Sequence, residues 1–500
     1  MHSSAPRVAK NTLAQVVARA IEGGTNFVVT ILLARTLGAG SLGAFAFLIT
    51  YVSIFIFLGT FGLNLLMARD VARRRHQARR YLSNALGMAL VLTVITFAVE
   101  VGIVLLVSPE PLARKGIYLA AAFAVFHSWE LLFVGVFYAL ERMELEMIGI
   151  FIEKALLLAA VFALVLTGRG VIGVLAAFAA AKALLVIFYL VLATRLMGFP
   201  RPAADLRLWR DLAAQAWPFS VHVLVTSVYF QIYIVLLGML ASDQAAGYFR
   251  AGSILALSLP MFAAGLNNAL LPLMARAHPD RRESFEFGLE RSFTALALLG
   301  MPIAVGLVVL AQPMVGLLYG ARFGAAVIVF QLLAVTVPLK FIANTLGTGL
   351  TAADRQPERA YAASIGAALN VVLNVALILA FMRAGPAIGA SIAAIITDVV
   401  ILVLTDIYLR RAGYRVHMLG LSARPALAAA IMGLALWWIK GMSIALTVPV
   451  GIVVYSAAAY AVGAVRRSDL QWLRTAFSGG PLRQERMSDV GGAGVPPANE

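Results

Sequence analysis

Polar and ionisable side chains set inside long apolar runs are where this sequence could do chemistry. A charge at the centre of a bilayer costs about 2.5–3.5 kcal/mol on the insertion scale, so it must face a partner or a wet cavity. Gln15, Arg19, Glu22 and Asn26 stand four, three and four residues apart, which on a helix of about 3.6 residues per turn aligns them along one face. His222, Thr226, Tyr229 and Tyr233 repeat that spacing in the second half of the chain. Arg250, Lys340, Lys182 and Asp398 lie in other apolar runs, as do Glu100, His127, Glu130, Glu153 and Lys154, and Arg250 has no acid within a helical turn of it. Two uses fit these patterns. Polar side chains can hydrogen-bond between helices and add modest stability, and Arg19 with Glu22 at i, i+3 can neutralise each other. Alternatively, a cavity lined by Arg19, Arg250 and Lys340, with Gln15, Asn26, His222 and Tyr229 around them, suits an anion, since guanidinium groups bind phosphate through paired hydrogen bonds. Glu22, Glu130 and Asp398 are the acids that could take up a proton or a sodium ion.

The elements that must position these residues are membrane helices. With 61% hydrophobic and 13% charged residues and a mean hydropathy of +0.90, the 500-residue chain cannot be a soluble globular domain, in which roughly a quarter of residues are charged. Its 40 basic and 24 acidic side chains give a formal charge of +16. In a soluble chain that excess would suggest nucleic acid; here it is read as topology, and no nucleic-acid partner is expected. The absence of cysteine excludes disulfides, thiolate nucleophiles and Cys-ligated metals, and the six histidines show no H-E-x-x-H spacing. There is no G-x-x-x-x-G-K-[ST] for ATP. The longest outer loop, Ser108–Gly116, offers Glu110 alone for general acid/base work. Neither an enzyme nor a cofactor is expected; transport without a built-in ATPase is.

A span needs about 20 apolar residues, and about fourteen can be read, near 12–34, 43–67, 84–107, 117–140, 148–167, 171–194, 212–238, 247–274, 292–311, 325–349, 361–382, 387–409, 424–439 and 443–464. The first is too long for a signal peptide and has no A-x-A site, so it reads as a retained span. Lys and Arg in short loops stay cytoplasmic. Arginines 69, 73–75, 79 and 80, then 195, 201, 207 and 210, then 276, 281, 282 and 291 fall on one side. Counting all loops, about 28 basic residues face that side and about 7 the other, which places both termini in the cytoplasm. The Arg69–Arg80 run also reads as a lipid-phosphate site, topology alone being the simpler account.

A repeat of roughly 205 to 215 residues runs through the spans. Gly43-Ala44-Phe45 matches Gly247-Tyr248-Phe249, Gly62-Leu63-Asn64 matches Gly265-Leu266-Asn267, and Leu66-Met67-Ala68-Arg69 matches Leu273-Met274-Ala275-Arg276. Ala139-Leu140-Glu141-Arg142 matches Ala352-Ala353-Asp354-Arg355, and placing Gly173 on Gly389 sets Lys182 opposite Asp398. Six helices per unit is an even number, so both units enter from the same side and are related by an axis along the membrane normal. The expected fold is therefore all-α and polytopic, with about 14 transmembrane helices: two six-helix bundles related by a pseudo-two-fold, plus two C-terminal helices. The expected boundaries are 1–204 and 205–412 for the bundles, 413–465 for the two additional helices, and 466–500 for a cytoplasmic tail. From about Gly479 that tail is rich in Gly, Pro and charge and reads as disordered and dispensable.

Leu37-Gly38 with Gly43-Ala44-Phe45, Phe61-Gly62-Leu63-Asn64 through Ala68-Arg69, the Ala139–Arg142 loop, and Asn370-Val371-Val372-Leu373-Asn374 followed by Gly385 and Gly389 resemble the polysaccharide-transporter (Wzx-type) flippases. These belong to the multidrug/oligosaccharidyl-lipid/polysaccharide (MOP) superfamily, and the likeness spans about residues 8–465. It implies two bundles in a V around a central cavity, moving an undecaprenyl-pyrophosphate-linked oligosaccharide from the cytoplasmic to the outer leaflet by alternating access, for surface polysaccharide biosynthesis. It also implies a bacterial cytoplasmic (inner) membrane, a polyprenyl-pyrophosphate-linked glycan and membrane lipids as partners, H+ or Na+ as coupling ion, contact with polysaccharide-assembly proteins, and a lateral groove for the lipid tail at the two extra helices. The sequence is also similar to the lipid II flippases, whose cavity arginines align with Arg19 and Arg250. It departs from them at the second helix, where they have another arginine and this sequence has Thr50 and apolar neighbours. An ion-coupled drug or cation exporter of the same superfamily is the further alternative, with Glu22, Glu130 and Asp398 as its acids.

Overall fold

The computed structural model describes residues 5–107, 111–259, 267 and 282–465. The second half of the span expected near 247–274, the repeat matches at Gly265-Leu266 and Leu273–Arg276, the loop arginines 276 and 281, and the tail from 466 lie outside the described residues.

All regular structure among them is helical. Helix α1 (Ala5–Ile54) holds the first two spans end to end, broken at Gly38, whose φ of 81° and ψ of −179° suit a residue without Cβ. The second span continues through α2 (Ile56–Thr60) and α3 (Leu63–Arg73), which are joined by Phe61 and Gly62, both with positive φ. Then come α4 (Ala78–Val107), α5 (Pro111–Ala139), α6 (Met143–Leu166) and α7 (Gly170–Met197). The second half has α8 (Leu206–Leu240), α9 (Asp243–Ser258), α10 (Arg282–Val309), the short α11 (Ala311–Tyr319), α12 (Ala326–Ala352), α13 (Gln356–Ala380) and α14 (Pro386–Arg411). Helices α15 (Met418–Ile439) and α16 (Ile444–Ala461) follow. Among the described residues, twelve helical stretches are long and apolar enough to cross a membrane, and the first of them, Leu13–Thr60, contains two spans.

The repeat is visible in backbone detail. The matched turns after α5 and α12 each place an acidic residue in the left-handed region, Glu141 at φ 59° and Asp354 at φ 58°. Each then closes with the same bond back across the helix end, Arg142 N–H to the Phe137 carbonyl and Arg355 N–H to the Leu350 carbonyl, a pattern that satisfies carbonyls left open at a helix C-terminus.

Large apolar side chains face outward, as lipid demands: Leu106, Leu166 and Trp438 are among the most exposed residues. Inside, small residues let backbones approach, the usual basis of helix association in membranes. A Cβ on Gly135 would collide with the Asn64 backbone, one on Gly389 with the Leu377 carbonyl, and one on Gly149 with the Tyr189 ring. In α8, which carries Pro218 in its interior, the lower part leans on the first half and the upper part on the second. Arg69 donates to Gln215 at 3.2 Å and Ser220 to the Phe57 carbonyl at 3.3 Å, whereas Tyr229 and Tyr233 bond to α14 and α13.

Candidate functional site

The polar stripe of α1 turns toward its own bundle. Gln15 Nε2 lies 3.1 Å from Met143 Sδ on α6. Arg19 binds Glu22 at 2.8 Å and Glu146 of α6 at 3.6 Å. Glu146 is further held by the Tyr138 hydroxyl at 2.7 Å. Glu146 and Tyr138 escape the sequence reading because Glu146 sits in the first turn of α6, where an acid looks like a loop charge. Asn26 is half-buried, and its carbonyl accepts from Thr30.

Deeper in the first bundle, Lys182 of α7 bridges Glu130 of α5 and Glu153 of α6, the latter at 3.1 Å. His127 Nδ1 lies 2.8 Å from Glu130, and Lys154 lies 3.0 Å from Glu153. The second bundle answers with Lys340 of α12, 2.8 Å from Asp398 of α14. Tyr229 of α8 donates to the same Asp398 oxygen at 2.8 Å, and the Lys340 ammonium lies 3.2 Å from the Tyr229 hydroxyl. Asn370 donates to Tyr233 at 2.7 Å just beside this cluster. The two bundles thus carry buried ion clusters of opposite polarity: acid on α5 and lysine on α7 in one, lysine on α12 and acid on α14 in the other. Glu100 belongs to neither, being fully enclosed with neither carboxylate oxygen hydrogen-bonded.

Arg250 stands apart. Arg19, Lys154, Lys182 and Lys340 each meet a carboxylate. Arg250, only partly exposed, forms no ion pair with any described residue. Nor do Arg19 and Arg250 meet. With a rise of about 1.5 Å per residue, Arg19 lies about 28 Å below the Gly38 kink and Arg250 about 10 Å below the start of α9, so they differ in depth by about 18 Å.

The two halves close on each other at the Gly38 end. Gly43 and Gly247, equivalent in the repeat, face each other: a Cβ on Gly43 would overlap the Asp243 carbonyl, and one on Gly247 the Ala39 carbonyl. The contact is symmetric, as across a two-fold axis. Arg35 adds a cross-bundle clasp by donating to the carbonyls of Leu317 and Leu318, the former through Nη2 and the latter through Nε at 2.8 Å. Those carbonyls end α11, where the helix dipole is negative. Toward the arginine-rich end, polar groups at membrane depth stay uncovered. Arg19 has 55% of its side chain exposed, His222 and Thr226 are exposed, and Gly23 and Gly24 have nothing within 4 Å of an added Cβ. Such a surface belongs to water rather than to lipid.

A model of the polysaccharide biosynthesis protein family matches residues 8–278, and one of lipid II flippase MurJ matches residues 169–457. No curated protein matches the sequence significantly. Among solved structures, lipid II flippase MurJ in an inward closed conformation matches with a TM-score of 0.73 at 14% identity, over 90% of this chain and 98% of that one. An inward-facing multidrug resistance MATE family transporter of the MOP superfamily matches at 0.61 and 15% identity, over 80% and 98% of the two chains. A MOP superfamily transporter from Pyrococcus furiosus, noted for a binding pocket of reverse polarity, matches at 0.52 and 13%, over 82% and 96%. At these identities the likeness is one of fold.

Proposed function

The chain belongs to the polysaccharide biosynthesis protein and MurJ lipid II flippase families of the MOP superfamily, and from that premise we propose that it flips an undecaprenyl-pyrophosphate-linked oligosaccharide from the cytoplasmic to the outer leaflet by alternating access. The membrane is the bacterial cytoplasmic membrane, and both termini are cytoplasmic. A prenyl tail can remain in lipid throughout, but a pyrophosphate and its sugars cannot cross hydrocarbon unaided. The exposure of Arg19, His222 and Thr226 at membrane depth supports a polar path for them.

The observation that carries this reading is Arg250, a cation at membrane depth with no carboxylate among the described residues. An unpaired charge in such a place is costly, and an anionic cargo is the partner it lacks. The closed Gly43–Gly247 contact above Arg250 and the uncovered polar groups below it support a cytoplasm-open state. In that state Arg19 at the mouth, already shared between Glu22 and Glu146, meets the pyrophosphate first, and Arg250 at the apex holds it. Gln15, Asn26, His222 and Tyr229 border the sugar path. Lys340 is committed to Asp398, so it braces the wall and leaves the pyrophosphate to Arg250. Outward movement of an anion is favoured by an inside-negative potential, by about 2.3 kcal/mol per charge per 100 mV, or roughly 4.6 for two charges. Glu22, Glu130 and Asp398 are the groups through which H+ or Na+ would assist the return of the empty carrier.

Lipid II is the second reading, favoured by the MurJ match over residues 169–457. The test is leaflet exposure of labelled lipid in proteoliposomes. Undecaprenyl-pyrophosphate oligosaccharide, lipid II and a cationic dye are compared for the intact protein and for Arg250→Ala. Exposure of the oligosaccharide lipid that falls about tenfold or more in Arg250→Ala, the loss expected for a charge-assisted contact of about 1.5–3 kcal/mol, supports the proposal. Preferential exposure of lipid II replaces the cargo, and movement of the dye alone overturns the reading.

A further inference from the structure

Helices α15 and α16 have no counterpart in the repeat, and together with α10 they build a cleft of their own. It has a volume of about 440 Å³ and is lined by Phe287, Glu290, Arg291 and Thr294 of α10, by Arg424 of α15, and by Gly463 in the turn after α16. All three helix ends lie at the arginine-rich end of the molecule, which puts the cleft at the depth of the cytoplasmic-leaflet headgroups. Arg291, grouped with the loop arginines on sequence, and Arg424 both lie within helices and are set in place by neighbours. Arg424 Nη1 donates to the Gly463 carbonyl at 3.1 Å, which fixes the plane of the guanidinium with its remaining N–H groups to spare. The Arg291 guanidinium sits over the Phe287 ring, 5.0 Å from its centroid, a cation–π contact that orients it. The one acid of the lining, Glu290, has His417 3.4 Å away. Just above, Leu427, Ile431 and Leu434 continue from Arg424 at spacings of three and four along one exposed face of α15. The site therefore combines two oriented guanidinium groups with a surface covered by lipid chains.

We propose that this cleft binds a lipid-borne phosphate at the cytoplasmic leaflet, with Arg291 and Arg424 as its ligands. Guanidinium forks match phosphate oxygens in pairs, and a ligand that also carries acyl or prenyl chains lies against Leu427 and its neighbours. The site is distinct from the Arg250 region and does not depend on the flippase reading.

The test is lipid binding to the full-length protein in detergent, followed by native mass spectrometry. Phosphatidylglycerol and undecaprenyl phosphate serve as phosphate-bearing probes, and diacylglycerol as the phosphate-free control. The intact protein is expected to retain one or both phosphate lipids, and Arg291→Gln/Arg424→Gln to lose at least about tenfold in affinity for them, with diacylglycerol unchanged. Loss confined to undecaprenyl phosphate identifies a prenyl lipid as the occupant, and loss for phosphatidylglycerol a membrane phospholipid; both support the site. Arg411→Gln removes an exposed arginine at the same end of α14 and should have no such effect. An equal drop there, or undiminished binding in the double variant, overturns the proposal. Should the double variant not fold, Arg424→Lys keeps the charge but loses the fork, and a several-fold weakening is expected; no weakening also overturns it.

Discussion

Lys340 and Asp398 form the ion pair whose polarity distinguishes the two bundles. With the Glu141 and Asp354 turns placed in register, Lys340 occupies the position of His127, one turn from Glu130; with Gly173 placed on Gly389, Asp398 occupies that of Lys182. Either order of charges satisfies the same packing, because only the attraction between the two helices is needed. Removing one partner is a different matter: Asp398 is 2% exposed, and Lys340→Ala would leave it uncompensated, a loss of about 3–5 kcal/mol for a buried pair. A lower melting temperature in detergent is expected for Lys340→Ala, with at least half of the loss recovered in Lys340→Asp/Asp398→Lys. Failure of the exchanged pair to recover would count against interchangeable polarity. Arg19 and Arg250 should separate in the same measurement. Arg19→Ala strands Glu22 and Glu146 and is expected to lower the melting temperature, whereas Arg250→Ala removes a charge with no carboxylate partner among the described residues and should leave it unchanged or raised while transport falls. The spacing of Gln15, Arg19, Glu22 and Asn26 correctly gave one helical face, but not the neighbour that face would meet, since Met143 and Glu146 lie more than a hundred residues away.

Helix α8 is anchored at its N-terminal start by Asp205, whose carboxylate accepts the Leu208 N–H at 3.2 Å and pairs with Arg80 at 3.1 Å. The Leu208 N–H first, and Arg80 after it, hold this carboxyl below the usual aspartate range. A depressed folded-state value means that the stabilisation is complete above the ordinary Asp value and is lost as pH falls through the depressed one. Protection of the first-turn amides of α8 against hydrogen exchange, relative to their intrinsic rates, should therefore fall below about pH 4, and Asp205→Asn should abolish that pH dependence. A larger element-scale device is the contact between the start of the second span in α1 and α9. Val at Gly43 or Gly247 cannot be accommodated against the facing carbonyl, so the contact should fail to close. The chain has no cysteine of its own, so a single Ser253→Cys, buried just below the seal at 2% exposure, reports directly. Labelling by an impermeant thiol reagent from outside should be slow in the parent and at least about tenfold faster with Gly43→Val. An unchanged rate would show that this contact does not seal the path. Arg35→Ala, which removes the clasp on α11, should give a smaller rise of the same sign.

At the scale of the whole molecule, two homologous bundles meet symmetrically at one end and expose polar groups toward the other, the geometry that rocking between two states requires. Joining the bundles at their closed end should then arrest the cycle. Cysteines at Gly40 and Gln244, equivalent exposed positions flanking the Gly43–Gly247 contact, are expected to stop lipid flipping when bridged by a cleavable crosslinker. Cleavage should restore it. Flipping that continues in the bridged protein would exclude alternating access through this end.

The membrane class, nearly every span, the repeat and the identity of the intramembrane charges were all legible in the sequence, because hydropathy and helical periodicity are properties of consecutive residues. The repeat even anticipated the opposite signs at Lys182 and Asp398. What only the tertiary structure decided was pairing and depth: that Arg19 belongs to Glu146 as well as to Glu22, that Lys340 is spent on Asp398, that Gly43 meets Gly247, and that Arg19 and Arg250 stand about 18 Å apart in depth. A linear pattern says which residues share a helical face. Which helix that face touches depends on how closely the small residues of distant segments let their backbones approach, and that is fixed only when all the helices pack together.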